Sequence, residues 1–511
     1  MAAFMRHGSS RGCEARAGGS AALVAALTVG AFAVRFARLL DSPEPPGTDG
    51  YYYVIQVERW LAEGHLQVPD ASWVLRALAL GAAVLGPIPG VKAVSALLGA
   101  VCVPSAWLAG LALGRASGGA GRGLALGLAA WAAASPMLTH LAGDFPKTLG
   151  AVAPLLLALA WAASGWRTGA SLLGGAGAVL LAATAHRLGA SLLGLGALGA
   201  GLGLLLRGRQ GTPDRKGPLV LVGGLCVAAF ALLTTLLPNL LHPEDLERVS
   251  TQLTLSPGTP PPFPYFALRR TRLPEQVELG AAWGGLVMGS VLLWRRRDLR
   301  PLVLGLLLPL AVCLCPLWRG DVLDLGYRTS LLAPLFAMPL LLLAGAEALP
   351  RFQLSRGAAA LLALGCVPLA RTGFEPTATP PYARYRALFS RIPRPLPPLL
   401  IAHQGINFFY DHVTGEEALA WAPEPELERS RIGRLVWGVT DGEWVAYAPT
   451  REALPPPVRL DPDCVYVRED VFEAFRAEAR AQGDEDLLER LADWRNPSVV
   501  RPAALLRNHR R

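Results

Sequence analysis

Apolar residues fall along this chain in blocks of about twenty, divided by short stretches rich in Arg, Asp, Glu and Pro. Coiled as α-helix, a block of that length matches the hydrocarbon thickness of a bilayer. About eleven such blocks occur, near 20–40, 91–113, 123–139, 148–164, 169–185, 188–206, 218–238, 279–294, 301–317, 328–348 and 357–372. A further stretch, 73–88, is apolar but is interrupted by Arg76 and runs into Gly-Pro-Ile-Pro-Gly; it suits another span or a helix lying along the interface. The connecting charges arbitrate. If 73–88 does not cross, the loops on the N-terminal side are 114–122 (Arg115, Arg122), 165–168 (Arg167), 207–217 (Arg207, Arg209, Arg215, Lys216), 294–300 (Arg295, Arg296, Arg297, Arg300) and 349–356 (Arg351, Arg356). Every strongly basic short loop is then cytoplasmic, as the positive-inside rule demands. If 73–88 crossed, the early and late loops would disagree about orientation. The pattern therefore predicts a polytopic α-helical membrane protein with about eleven transmembrane helices and a cytoplasmic N-terminus, in a bacterial-type inner (plasma) membrane.

From residue 373 the pattern turns polar. The run 397–410 reads as a buried strand and turn leading into a second element, 434–439 and 443–448 as further strands, and 469–494 as an amphipathic helix. Residues 373–511 are expected to form a small soluble α/β domain on the extracytoplasmic face.

Composition agrees with the pattern. Of 511 residues 52% are hydrophobic and 17% charged, with a mean hydropathy of +0.36; so little charge excludes a soluble enzyme or a disordered chain. Gly and Pro lie within the apolar blocks or in short hinges, where membrane helices tolerate them. The net charge of +9 is accounted for by the basic cytoplasmic loops, which removes nucleic acid as a partner. Five of the seven cysteines fall inside expected spans, and none is spaced for a disulfide framework or a zinc site. Residues 6–34 imitate a signal peptide, but Arg35 and Arg38 follow directly with no small-x-small cleavage site, so an uncleaved first span is expected.

Acids and the residues able to do chemistry gather on the opposite face. After the first span comes Gly47-Thr48-Asp49-Gly50-Tyr51-Tyr52-Tyr53, opening an amphipathic helix over 51–64. Asp49 can coordinate a divalent cation or take a proton from an incoming nucleophile; equally, it can be a helix N-cap, with the tyrosines an aromatic belt. After the third span come His140, Asp144 and Lys147, where Lys147 is the sole lysine of an outer loop in the membrane region and Asp144 and Lys147 can simply pair. His186-Arg187 stands at another outer boundary, and Tyr327-Arg328-Thr329 opens a late span. A guanidinium at the outer surface suits an anionic lipid head group, which it grips in bidentate fashion, or ordinary phospholipid by snorkelling. There is no P-loop, GxGxxG, HExxH or CxxC pair, so ATP-driven transport and the common metalloprotease pattern have no support.

In order and in side these motifs resemble the catalytic subunit of oligosaccharyltransferases and, more broadly, the GT-C superfamily of membrane glycosyltransferases. The resemblance covers most of 20–348: Asp-Gly-Tyr-Tyr at 49–52, Gly-Asp-Phe-Pro-Lys at 143–147, a long outer loop at 239–278, and Tyr-Arg-Thr at 327–329 running into Leu-Leu-Ala-Pro. It implies a GT-C-like transmembrane domain over 1–372, whose first outer loop, 41–90, carries interfacial helices. It implies that Asp49 binds the metal and activates the acceptor, that Asp144 completes the metal site, and that Arg328 holds the donor phosphate. By position Lys147, His186 and Arg187 join the phosphate site, and Tyr51, Tyr52 and His140 line the acceptor and donor loops. Mg2+ or Mn2+ is the implied metal. Two departures stand out: Pro146 occupies the place of a second acid, and the soluble-domain Trp-Trp-Asp signature is absent.

The implied activity is inverting transfer of a sugar or glycan from a polyprenyl-phosphate or polyprenyl-diphosphate carrier to an acceptor on the outer face, with the lipid-linked donor and membrane lipids as partners. The alternatives are a transporter or flippase of lipid-linked saccharides, which would want midplane charges and an inverted repeat, and a non-catalytic membrane scaffold.

Overall fold

A computed structural model describes residues 11–47, 49–66, 70–118, 121–164, 169–207, 271–315, 325–348 and short stretches between 365 and 488. The chain divides into two compact units, one of Met1–Asp41, Asp70–Val84 and Lys92–Glu375, the other of Ser42–Pro69, Leu85–Val91 and Pro376–Arg511. Much of the first outer loop thus belongs to the second unit.

The first unit is helical: α1 (Arg11–Leu39), α3 (Trp73–Leu85), α4 (Pro87–Ala116), α5 (Gly121–Ala134), α6 (Pro136–Asp144), α7 (Pro146–Ser164), α8 (Gly169–Ala185), α9 (Arg187–Arg207), α10 (Leu273–Arg295), α11 (Arg300–Cys313) and α12 (Leu325–Ala348), with α2 (Gly50–Glu63) left to the second unit. Among the described residues six helices are long and apolar enough to cross a membrane, or seven if α5 and α6 form one bent span. The chain is a multi-pass membrane protein. The expected eleven crossings are not reached among these residues: α8 and α11 fall short, with 17 and 14 residues, and the expected spans at 218–238 and 357–372 lie outside the described residues. Helix α3, at 13 residues, extends about 20 Å against a hydrocarbon core of about 30 Å.

One expected span, 123–139, is broken, with α5 and α6 meeting at 45°. The cause is local. Pro136 takes the first position of α6 and forces Ser135 out of helical geometry (φ −56°, ψ 115°), and the Ser135 hydroxyl caps the new helix by accepting from the Leu138 amide. The segment 140–147, read as a loop, consists of the end of α6, the single residue Phe145, and the start of α7.

Lipid tails are as apolar as leucine, so helices in a bilayer associate through close packing and hydrogen bonds. Helices α9 and α11 use the first means. A Cβ on Gly199 would lie 2.2 Å from the Leu304 carbonyl oxygen, and one on Gly203 2.5 Å from the Pro301 Cα, so the two backbones touch. Elsewhere Gly110 of α4 lies against Ala125 of α5, and Gly285 of α10 against Ala337 of α12.

The second unit contains α2, α13 (Ile406–Thr414) and a four-stranded mixed sheet ordered β2 (Leu419–Trp421), β1 (Leu399–His403), β6 (Cys464–Val467), β5 (Arg459–Asp461), with β1–β2 parallel and the other pairs antiparallel. A separate hairpin pairs β3 (Val439–Thr440) with β4 (Glu443–Trp444). The buried strand expected in 397–410 is β1, and the second element it leads into is α13. The expected helix at 469–494 lies largely outside the described residues. Helix α13 packs on α2, where the rings of Tyr51, Tyr382 and Phe409 form a buried group.

Candidate active site

The break between α6 and α7 brings together the starts of three distant helices. Buried His140, in the last turn of α6, places Nδ1 2.7 Å from Glu275 Oε1 at the start of α10. Its Nε2 lies 3.0 Å from Asp144 Oδ2 and 2.8 Å from the hydroxyl of Tyr327, at the start of α12. The other Asp144 oxygen, Oδ1, is buried and has no hydrogen-bond partner among the described residues. Glu275 also accepts from the Arg272 amide, closing a box around the first turn of α10.

One turn further along α10, buried Glu278 accepts from Trp131 Nε1 at 2.6 Å, Ser135 Oγ at 2.6 Å and the Met137 amide at 3.0 Å. A carboxylate thus meets the amide groups exposed at the N-terminus of α6, where helix geometry favours negative charge. On the other side of the break, fully buried Arg35 donates to the carbonyls of Ala132 (2.7 Å) and Gly99 (3.1 Å) and to Thr139 Oγ1 (3.1 Å). The break leaves backbone groups unsatisfied, and a cation and an anion from neighbouring helices satisfy them.

Beside this network lies a group of cations. Arg328 sets its guanidinium 4.3 Å from the centre of the Phe145 ring. Lys147 pairs with Asp70 at 2.6 Å, and not with Asp144 as the local spacing allowed. His186 is the single residue between α8 and α9, and its Nδ1 accepts from the Leu188 amide at 3.1 Å, starting α9. Its pKa is held well below the ordinary value by burial and by the positive charges of Lys147, Arg328 and Arg187. All four residues expected at the donor phosphate therefore share one electrostatic neighbourhood, in which His186 is neutral and the other three carry the charge.

Asp49 and its tyrosines belong to the second unit. Asp49 stands at the N-cap position of α2 but makes no side-chain capping bond, so the cap reading has no support. Tyr51 is wholly buried, its hydroxyl donating to Glu44; burial first, and then that bond, raise its pKa above the ordinary value. Arg386 pairs with Glu44 at 3.2 Å. Tyr52 is partly exposed, with its ring against Tyr53 and Phe408.

Buried Asp144 Oδ1 is an oxygen suited to a cation or to an incoming N–H or O–H. Among the described residues, no group of three or more His, Cys, Asp or Glu is placed to hold a metal ion. Sequence reading missed Glu275, Glu278, Asp70 and the role of Arg35. The available signal was a pair of acids three apart at the mouth of an apolar block, since ionisable residues in such places need partners.

No family model and no curated protein matches the sequence. In structure the chain is similar to ArnT from Cupriavidus metallidurans, solved bound to undecaprenyl phosphate, with a TM-score of 0.51 at 15% identity over 79% of this chain and 86% of ArnT. It is also similar to the apo oligosaccharyltransferase of Archaeoglobus fulgidus, with a TM-score of 0.44 at 14% identity over 72% of this chain and 57% of that one. At these identities the likeness is one of fold, shared with ArnT.

Proposed function

We propose that this chain is an inverting glycosyltransferase that moves a sugar or glycan from a polyprenyl-phosphate or polyprenyl-diphosphate carrier to an acceptor on the outer face of the membrane. The observation that carries the reading is Arg328 standing over the ring of Phe145, next to Asp144 with its buried, unpartnered Oδ1, with Lys147 on the following turn. Support comes from the shared fold with ArnT, whose structure holds undecaprenyl phosphate. The arginine-rich ends of α10 and α11 lie at the far end of α10 from Glu275, in keeping with a cytoplasmic basic face and an extracytoplasmic site.

In the proposed step an acceptor hydroxyl or amide attacks the anomeric carbon from the side opposite the phosphate. A bond forms from acceptor to carbon, the carbon–oxygen bond to phosphate breaks, and the lipid phosphate leaves with the electron pair. Lys147, Arg187 and Arg328 stabilise the growing negative charge, with Arg328 offering the bidentate contact. The acceptor proton passes to a carboxylate, and Asp49 is the proposed general base. A divalent cation, Mg2+ or Mn2+, would take Asp144 Oδ1 as a ligand and add positive charge; dialysis against EDTA with metal add-back tests that part alone.

The experiment is mass spectrometry of polyprenyl-linked lipids, by leaflet, in cells carrying wild-type protein or Asp49→Asn at equal expression. The reading expects one lipid-linked saccharide to accumulate in the outer leaflet, its mass identifying the donor. Accumulation confined to the inner leaflet would make the protein a flippase. Identical profiles would remove Asp49 from the chemistry.

A further inference from the structure

We propose that Glu275 and His140 are positioning residues that hold the Asp144 carboxylate in one orientation, with Oδ1 presented to the reacting group. The inference rests on the reading of Asp144 as a carboxylate of the transfer site. It comes from three distances. Glu275 Oε1 lies 2.7 Å from His140 Nδ1, and His140 Nε2 lies 3.0 Å from Asp144 Oδ2 and 2.8 Å from the Tyr327 hydroxyl. Glu275 and His140 are both about 1% exposed, so neither can touch a lipid head group or an acceptor without a rearrangement.

A free carboxylate on a helix end rotates about its side-chain torsions and presents its two oxygens alternately. Here one oxygen is tied to a ring that is itself tied to another helix, and the ring cannot turn without losing Glu275. Asp144 is the last residue of α6, where no following helical turn restrains it; the restraint has to come from elsewhere. The arrangement parallels the way an outer partner fixes the ring of a metal-binding or catalytic histidine, except that the ring here transmits the restraint to a carboxylate. Tyr327 extends the chain by one link. Its hydroxyl meets the same His140 nitrogen, and it is the residue before Arg328, so the acid and the guanidinium are indexed to one imidazole.

Three variants of the full-length protein test this, read by the saccharide-lipid that accumulates in cells and, on purified protein, by the melting temperature and the affinity for undecaprenyl phosphate. Asp144→Asn is the reference. His140→Phe keeps the ring and removes both nitrogens, whereas Glu275→Gln keeps an oxygen able to accept from Nδ1. The expected result is a turnover at least 10-fold lower in His140→Phe at wild-type undecaprenyl-phosphate affinity, with a melting temperature lowered by the unpaired Glu275 carboxylate, and with Glu275→Gln retaining turnover within a few-fold of wild type. A loss of turnover in either variant that travels with a fall in lipid affinity assigns the pair to the scaffold and overturns the inference. Normal turnover in His140→Phe with Asp144→Asn inactive overturns it too, while leaving the transferase reading intact. Normal turnover in Asp144→Asn removes the acid itself from the site, and the positioning role goes with it.

Discussion

Two seams of the helical unit are built in opposite ways. Between α9 and α11 the contact is mainly backbone on backbone, made possible by Gly199 and Gly203, with a single ionic group at its end, where Arg300 donates to the Leu206 carbonyl at 2.7 Å. Around the α5–α6 break the contact is made by Arg35, Glu278, His140, Glu275 and Tyr327 through hydrogen bonds of 2.6–3.1 Å. The first seam derives most of its strength from dispersion at short range and is open to disruption by steric insertion. The second derives its strength from polar groups that would be costly alone in hydrocarbon, and it leaves one of them, Asp144, with an oxygen to spare. Glycine packing fixes where helices stand. Polar packing also fixes how side chains point, and the proposed chemistry lies at the second seam.

Inserting a side chain into the glycine seam should produce the largest effect. Gly199→Leu demands space where even a Cβ meets the Leu304 carbonyl at 2.2 Å, and overpacking against backbone should cost on the order of 4 kcal/mol or more, at the exceptional end for a point substitution. The check is the yield of monodisperse protein from detergent, expected to collapse. A well-folded Gly199→Leu protein would mean that α9 and α11 are not held by close approach.

Removing a charge from the polar seam should cost less and leave a folded protein. Arg35→Leu strips the Ala132 and Gly99 carbonyls and the Thr139 hydroxyl of their donor; orphaned buried polar groups cost about 1–3 kcal/mol each, partly relieved by local water. The melting temperature should fall by several degrees with the fold retained, and Thr139→Val should produce a smaller fall of the same kind. Equal losses in the two would show that the arginine contributes through Thr139 alone.

At the cation group the effect should leave stability altogether and appear in binding. Arg328→Ala is expected to weaken undecaprenyl phosphate by about 10- to 100-fold, the worth of charge-assisted hydrogen bonds, with the melting temperature unchanged. Arg328→Lys should recover only part of this, because an ammonium cannot make the bidentate contact. Full recovery would reduce Arg328 to a point charge.

How far these seams could be read in advance follows from the distances involved. Apolar blocks mark helices because burial and helix period are local properties, and α1, α4, α7, α9, α10 and α12 lie where the pattern puts them. The break at 135–136 was written in Ser-Pro, but the apolar run continues through it and hides the bend. Asp144 and Lys147, three apart, invited a local pair; the fold instead joins Lys147 to Asp70, 77 positions away. Glu275 and Glu278 reach partners 135 and 143 positions away. An acid at the edge of an apolar block looks like the start of a loop until its partner is known, and nothing local names the partner. The four residues proposed for the donor phosphate stood out for the opposite reason: each is a cation or histidine at the end of a span, a place the local pattern marks by itself.

His186 belongs to both seams, since it starts the helix that the glycines hold and stands within the field of the cations, and it supplies the smallest expected effect. Its pKa in the folded protein lies below the ordinary value of 6.5. On acidification the unfolded chain therefore takes up a proton near that value while the folded chain does not, so His186 lowers stability as pH falls from about 6.5 toward its folded pKa and contributes no such slope above. His186→Asn, which keeps an acceptor for the Leu188 amide, should remove that slope: melting temperatures of the two proteins should agree at pH 8, and the wild type should lose more than the variant by pH 5. If the two curves run parallel throughout, neither burial nor the field of Lys147, Arg328 and Arg187 depresses His186 in the folded protein. That outcome would separate the seams again, leaving His186 as a helix start and nothing more.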